Sequence, residues 1–330
     1  MEISVIIPTY NRCDYLQQAV KSVLQQSLAP DNYEIIIVDN GSTDETKAVA
    51  EEITGEYGRR VAYIYESAPG LHNARHRGAR EARGEILVFV DDDIIAAPQW
   101  LGAIHEAFKD RDTVLVGGKI LPKWEGEVPE WLEIFKDEDA YGWRIGHLSL
   151  LDLGDHRRRI PATCVYGCNF SVRKTVLYRC GGFHPDSMPG QLMKYRGDGE
   201  TALSRAIERE EYKVVYEPEA TVYHCVPANR LTVEYFCQRA FKQGISDSFA
   251  EIRNSHGMNG RPMADRSVRK ASLSAFLKLL RGYRERKIDP KHRAIRDLVA
   301  KEREKGKEFL LRHTKEEPEL LAHVLKENYF

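Results

Sequence analysis

Cysteine, tryptophan and methionine are scarce in this chain: six Cys, four Trp and five Met among 330 residues. Thiols so thinly spread cannot build a disulfide framework, so reduced cysteines in a cytoplasmic setting are expected. No segment reaches the roughly 18–20 consecutive apolar residues of a membrane-spanning helix. The opening Met1-Glu2-Ile3-Ser4-Val5 lacks the basic stretch of a secretion signal and runs straight into an apolar segment. The first strand-to-helix turn carries no G-x-G-x-x-G, which argues against a dinucleotide-binding fold, and no G-x-x-x-x-G-K-[ST] offers a phosphate cradle. Zinc is not expected either, because Cys164, Cys168, Cys180, Cys225 and His184 match no standard ligand spacing. Internal repeats and low-complexity segments are absent.

The composition, 42% hydrophobic and 30% charged, is that of a soluble globular protein. The length suits one large domain with an appendage, or two domains. The net charge of −1 hides an asymmetry: Arg261 to Phe330 holds 19 Lys/Arg against 11 Asp/Glu, which leaves the rest of the chain at −9. A basic C-terminal segment reads as a solvated helical face, or as a surface for anionic lipid.

The chain is organised around Glu85–Ile95. The apolar run Ile86 to Val90 is long enough for a strand buried on both faces, and it ends in Asp91, Asp92 and Asp93. Three adjacent carboxylates repel one another unless a positive group sits among them, and hard oxygen ligands suit Mg²⁺ or Mn²⁺. Further strands are expected at Ile3–Ile7, closed by Pro8, at Ile35–Val38 and at Val61–Tyr65. Helices follow Asn11 and Ser42, and another spans Leu71–Arg83 up to Gly84. This alternation predicts βαβ units and a mostly parallel sheet. Ligands in such sheets bind beyond the carboxyl ends of the strands. There Thr9, Tyr10 and Asn11 would meet Asp39, Asn40 and the three aspartates on one rim. A base could stack on Tyr10 and hydrogen-bond to Asp39.

V-I-I-P-T-Y-N-R, V-D-N-G-S-T-D, A-R-H-R-G-A-R-E-A-R-G-E-I-L-V-F-V-D-D-D and G-D-G-E-T-A-L occur in that order. Together they resemble the family 2 nucleotide-sugar glycosyltransferases, over roughly Ile3 to Gly244. The resemblance implies an α/β glycosyltransferase A fold: a mostly parallel central sheet flanked by helices. Residues 1–118 would bind the nucleotide sugar and 119–250 the acceptor, with 251–330 a linker and basic helical extension. It implies donor contacts from Pro8, Thr9, Tyr10, Asn11, Asp39, Asn40, Arg75, Asp91 and Asp92. Asp91 and Asp93 correspond to the family's D-x-D, with Asp93 a direct ligand of Mn²⁺ or Mg²⁺. Where relatives often carry Asn after the arginine, this chain has His76.

In the second half, Gly117 to Pro161 reads as an irregular aromatic-rich insertion. Trp124, Trp131, Tyr141 and Trp143 would serve as a sugar platform or as loop packing. V-Y-G-C-N-F-S-V over Val165–Val172 resembles the family's segment beside the donor sugar, where Asn169 either contacts hydroxyls or is a structural amide. Thr201 to Arg209 has helical spacing, and a carboxylate at a helix N-terminus is favoured as an anion. That suits a general base. Glu200 falls where the family's base stands, but Gly199 replaces the preceding acid, so Asp198 stays a candidate. His224, at a strand end, is a third metal ligand, a diphosphate contact or structural, and Arg230 behind it suits phosphate. Asn254–Ala264 reads as a linker or lid, followed by helices at Ser267–Tyr283, Ala294–Arg312 and Glu319–Tyr329.

The expected activity is inverting transfer of a sugar from a nucleotide-diphosphate donor, UDP-linked by preference, to an acceptor hydroxyl in polysaccharide, glycolipid or glycoconjugate synthesis. The acceptor is a sugar or a lipid-linked one, and no nucleic-acid partner is expected. Residues 265–330 could touch the inner face of a membrane or pair two subunits. The rivals are a non-catalytic binding protein that kept the rim, and a haloacid dehalogenase-type phosphatase. The latter needs its aspartates after the first core strand in D-x-D-x-[TV], where this chain has Ile95.

Overall fold

The computed structural model describes residues 1–258 and 289–330. The expected helix Ser267–Tyr283 lies outside the described residues, as does most of the expected linker. Four parallel strands start the fold. β1 (Ile3–Thr9) lies between β2 (Tyr33–Asp39) and β4 (Ile86–Val90), and β3 (Val61–Tyr65) flanks β2. Every residue of β1, β2 and β4 is buried, as their β-branched runs require when helices cover both faces. The covering helices are α1 (Cys13–Leu24), α2 (Thr46–Tyr57) and α3 (Leu71–Glu81). β1 does not stop before Pro8: it runs on to Thr9, pairing with β2, whereas its pairing with β4 ends at Ile6. With a neighbour on one side only, the missing N–H of proline is tolerated.

The sheet is mixed, not mostly parallel throughout. β11 (Asn169–Arg173) runs antiparallel to β4 and to β6 (Thr113–Glu125), and β12 (Lys213–Pro227) runs parallel to β6. β12 also pairs with β5 (Ile94–Ala96), which precedes α4 (Trp100–Phe108), and with β10 (Arg158–Arg159). The region after Gly117 is less irregular than expected. β6 continues through Pro122, and β7 (Asp137–Asp139), β8 (Gly142–Ile145) and β9 (Leu150–Asp152) extend the sheet. Likewise β12 is one long strand. Pro218 falls where its register slips between Glu217 and Val222, a local irregularity that does not end the strand. Among the aromatics, Trp131 packs edge-on against Phe236 at 5.0 Å, as loop packing does, whereas Tyr141 is exposed.

After α5 (Lys174–Arg179) and α6 (Glu200–Arg209), α7 (Val233–Ser255) is capped by Thr232, whose Oγ1 accepts from the Tyr235 amide at 3.2 Å. α8 (Pro290–Glu316) starts at a cap where Asp289 accepts from the Lys291 amide, and α9 (Pro318–Val324) follows. α7 and α8 cross at two glycines. A methyl at Gly244 would come 1.9 Å from the Arg303 carbonyl oxygen, and one at Gly306 1.9 Å from that of Phe241. Residues 329–330 return to the core, where Phe330 stacks on His76 with ring centres 4.0 Å apart.

Candidate active site

The parallel registers bring Thr9, Asp39 and the turn after Val90 to one rim, and antiparallel β11 starts there with Asn169 opposite Val90. The three aspartates diverge from that point. Asp92 turns inward, accepting from Thr9 Oγ1 at 2.7 Å and from Arg12 Nη1 at 3.0 Å. Burial pushes its carboxyl above the usual range, and Arg12 pulls the other way. Asp93 is also buried, and its Oδ2 accepts from Arg12 Nη1 at 2.5 Å and from Arg230 Nη2 at 2.6 Å. Asp91 is half-open to the cleft, with Oδ1 3.5 Å from Arg75 Nη2.

His224 completes this wall. Its Nδ1 lies 2.9 Å from the Leu148 carbonyl, an acceptor, and its Nε2 3.1 Å from Arg230 Nη1, a donor. These partners assign the proton to Nδ1 and leave a lone pair on Nε2. That lone pair lies 3.2 Å from Asp93 Oδ1, a buried oxygen with no hydrogen-bond partner. Asp93 Oδ1 is free and Nε2 becomes so once Arg230 leaves it; at this separation the two would fit one edge of a metal octahedron, which is ~3 Å for bonds of ~2.1 Å. The pair therefore suits a divalent cation. The expected set of Asp93, Asp91 and His224 is not brought together, however: among the described residues no three His, Cys, Asp or Glu side chains are placed to hold a metal ion. Asp91 faces Arg75 instead, and two guanidiniums neutralise the other oxygen of Asp93.

Arg75 is buried on α3 beneath the cleft. Its Nη2 donates to the Gly167 carbonyl at 3.2 Å, and its guanidinium lies 5.0 Å from the Phe183 ring centre. Nε and Nη1 have no hydrogen-bond partner. Nη1 is 3.7 Å from Glu200 Oε2, so one guanidinium stands between Asp91 and Glu200. Glu200 is the first residue of α6, partly open to solvent, and its Oε1 accepts from the Gly167 amide at 3.2 Å. Glycine at 167 leaves room for both side chains: a methyl there would approach Arg75 Nη2 to 2.5 Å and Glu200 Oε1 to 3.1 Å, and one or both would have to shift.

Several expected contacts are used up inside the protein. Asp198 is buried, with Oδ1 2.6 Å from His184 Nδ1 and Oδ2 accepting from Arg205 at 3.3 Å, so both its oxygens are engaged within the protein. Asn169 is buried too. Its Oδ1 accepts from Trp100 Nε1 at 3.0 Å, and its Nδ2 donates to the carbonyls of Ala220 and Lys119, which makes it the structural amide. Asp39 closes a turn, accepting from the Ser42 amide at 2.8 Å and the Tyr63 hydroxyl at 2.9 Å. Asn40 ties down 66–70 through Glu66, Ala68 and Gly70, and Asn11, at φ 53°, accepts from the Thr43 amide. Pro8 belongs to β1, while Tyr10 is exposed beside it.

Residues 4–181 match the model described as Glycosyl transferase family 2. The chain belongs to glycosyl transferase family 2. It is an enzyme of glycosyl transfer, and its architecture is the glycosyltransferase A fold. Over 255 residues it is 27% identical to the glucosyl-dolichyl phosphate glucuronosyltransferase of Haloferax volcanii, covering 76% of this chain and 78% of that protein. It is 34% identical over 177 residues to the dolichol-phosphate mannosyltransferase of Pyrococcus furiosus, covering 54% of this chain but only 47% of that relative. Among solved structures, the mannosyltransferase PcManGT from Pyrobaculum calidifontis, in complex with GDP-Man and Mn²⁺, superposes with a TM-score of 0.56 at 16% identity, covering 98% of this chain and 85% of that one.

The sequence reading missed Arg12. A charged residue at a helix entrance reads as surface, yet three clustered carboxylates require a counter-cation, and Arg12 stands on the same rim. The role of Gly167 was also missed; its signal is a glycine inside an otherwise strand-like run.

Proposed function

We propose that this glycosyltransferase takes a sugar from a nucleotide-diphosphate donor and passes it to an acceptor hydroxyl with inversion, Glu200 acting as base. The observation that carries this reading is Arg75, whose guanidinium joins donor-side Asp91 to acceptor-side Glu200. The acceptor oxygen attacks the anomeric carbon, its proton passes to Glu200, and the bond to the diphosphate breaks with its electron pair leaving on the nucleotide. The N-terminus of α6 favours the ionised carboxylate, and the Gly167 amide fixes its direction. Arg75 also offsets half of the charge of Asp91 and Glu200, which eases the approach of an anionic donor. Asp93 and His224 would hold a Mn²⁺ or Mg²⁺ ion, which when bound supplies positive charge to the leaving diphosphate. Arg12 and Arg230 stand ready as donors to the same oxygens. Tyr10, exposed at the rim, offers its ring to the base.

Two relatives are named for dolichyl or dolichol phosphate, which supports a lipid-linked acceptor and glycoconjugate synthesis. No helix among the described residues is long and apolar enough to cross a membrane, and the basic segment from Arg261 onward suits peripheral contact with an anionic inner leaflet.

The test is Glu200→Gln, assayed with UDP- and GDP-sugars and Mn²⁺ or Mg²⁺. Transfer should fall ~10²–10⁴-fold while nucleotide affinity holds. Asp198→Asn should chiefly lower the melting temperature, through loss of its His184 and Arg205 contacts. Full transfer by Glu200→Gln would remove Glu200 as base. A native chain that neither transfers sugar nor hydrolyses any donor would be a binding protein.

A further inference from the structure

The face that α7 turns toward the catalytic loop carries more positive charge than the proposed donor chemistry uses. Ser246 Oγ donates to the Gly197 carbonyl at 2.7 Å, and a methyl on Gly197 would lie 3.0 Å from the Phe249 ring, so residues 246 and 249 mark that face. Lys242 and Arg239 precede Ser246 by four and seven residues and project from the same side, one and two turns nearer the start of the helix. The opposite side of α7 is occupied by α8, through Gly244, Asp247 and Ser248. Lys242 and Arg239 therefore point over the loop that leads into Glu200.

The loop supplies a third cation. Arg196 Nη1 pairs with Asp186 at 2.6 Å, while its Nε is buried and has no hydrogen-bond partner. Asp186 in turn abuts Gly199, where a methyl would lie 3.0 Å from its Oδ2, one residue before Glu200. Asp186 is thus the carboxylate of this cluster, and Arg196 engages it. Neither Arg239 nor Lys242 makes an ion pair with a described residue. The electrostatics agree with this grouping. Burial pushes the Lys242 ammonium below its usual range, and Arg196 and Arg239 push the same way against Asp186.

We propose that Arg196, Arg239 and Lys242 form a phosphate subsite on the acceptor side, so that the acceptor is a phosphorylated sugar whose phosphate docks on α7 while its hydroxyl faces Glu200. This rests on the reading of Glu200 as the acceptor-side base. A phosphate suits the cluster because it carries up to two negative charges and several acceptor oxygens, matching two guanidiniums and an ammonium. The phosphate is either that of a lipid headgroup or that of a soluble sugar phosphate.

The test is calorimetric titration of the full chain with methyl phosphate, and flotation with phosphatidylcholine vesicles holding phosphatidic acid, both in EDTA. Wild type and Arg230→Gln should bind at least one of these probes. Arg239→Gln/Lys242→Gln should bind it at least tenfold more weakly, with a melting temperature close to wild type. Binding of methyl phosphate assigns the subsite to a soluble phosphate, and binding of the vesicles alone to a lipid phosphate. No binding of either probe by wild type overturns the proposal. So does binding that Arg230→Gln abolishes and the double variant keeps, since the phosphate then sits on the donor side. UDP and GDP titrations with Mn²⁺ run alongside: wild type that binds phosphate but no nucleotide would sink the donor reading and leave the subsite standing.

Discussion

Arg12 reaches across the rim to Asp93, its Nη1 2.5 Å from Oδ2. The same nitrogen also serves Asp92, so a single side chain at the entrance of α1 neutralises two members of the aspartate run. An incoming cation has to compete with that charge.

Replacing Arg12 by Gln should therefore tighten the binding of Mn²⁺ alone by several-fold, since Asp93 loses one of its two guanidinium partners. Electron paramagnetic resonance titration of free Mn²⁺ reads this directly. Unchanged affinity would mean that Arg12 does not compete for the carboxylate.

The crossing of α7 and α8 allows no side chain at its closest point. Gly244→Ala and Gly306→Ala should each cost ~1–3 kcal/mol through overpacking, seen as a lower urea midpoint with an unchanged slope. Gly55→Ala is the control: it lies in α2 with nothing within 4 Å of the added methyl, and should stabilise by ~0.5–1 kcal/mol.

His76 accepts from the Phe183 amide at 2.9 Å through Nε2, and burial pushes its pKa down to about 3. Burial likewise lowers His72, to about 4. Both rings are neutral in the folded chain, while the unfolded chain takes up their protons below about 6.5. Protonation favours the unfolded state, so stability should fall as pH drops from about 6.5 toward 4, by up to ~1.4 kcal/mol per pH unit for each histidine. His76→Asn keeps an acceptor for Phe183 but does not titrate. Its melting temperature should fall less steeply over the same range; a slope equal to wild type would acquit His76.

What the sequence made legible was local. The β-branched runs Ile35–Val38 and Ile86–Val90, bounded by polar turns, announce buried strands, and the parallel alternation then places Thr9, Asp39 and Asp91 on one rim. Continuity across prolines was not legible. Pro8 reads as a strand end, but β1 carries on to Thr9 because β2 pairs with it there, and β6 and β12 likewise run on through Pro122 and Pro218. Side-chain direction was hidden too. Asn169 and Asp198 are polar residues in family motifs, and nothing nearby in sequence reveals that Trp100 and His184 have already claimed them. Arg12 escaped notice because its partners lie some 80 positions away.

The glycine crossing has a consequence beyond stability. The inclination of α7 is set by a brace on α8, some 60 positions further along the chain and apart from the residues of the aspartate rim. A side chain larger than hydrogen at either glycine would tilt one helix against the other, and that tilt would reach the loop before Glu200 through Ser246 and Gly197.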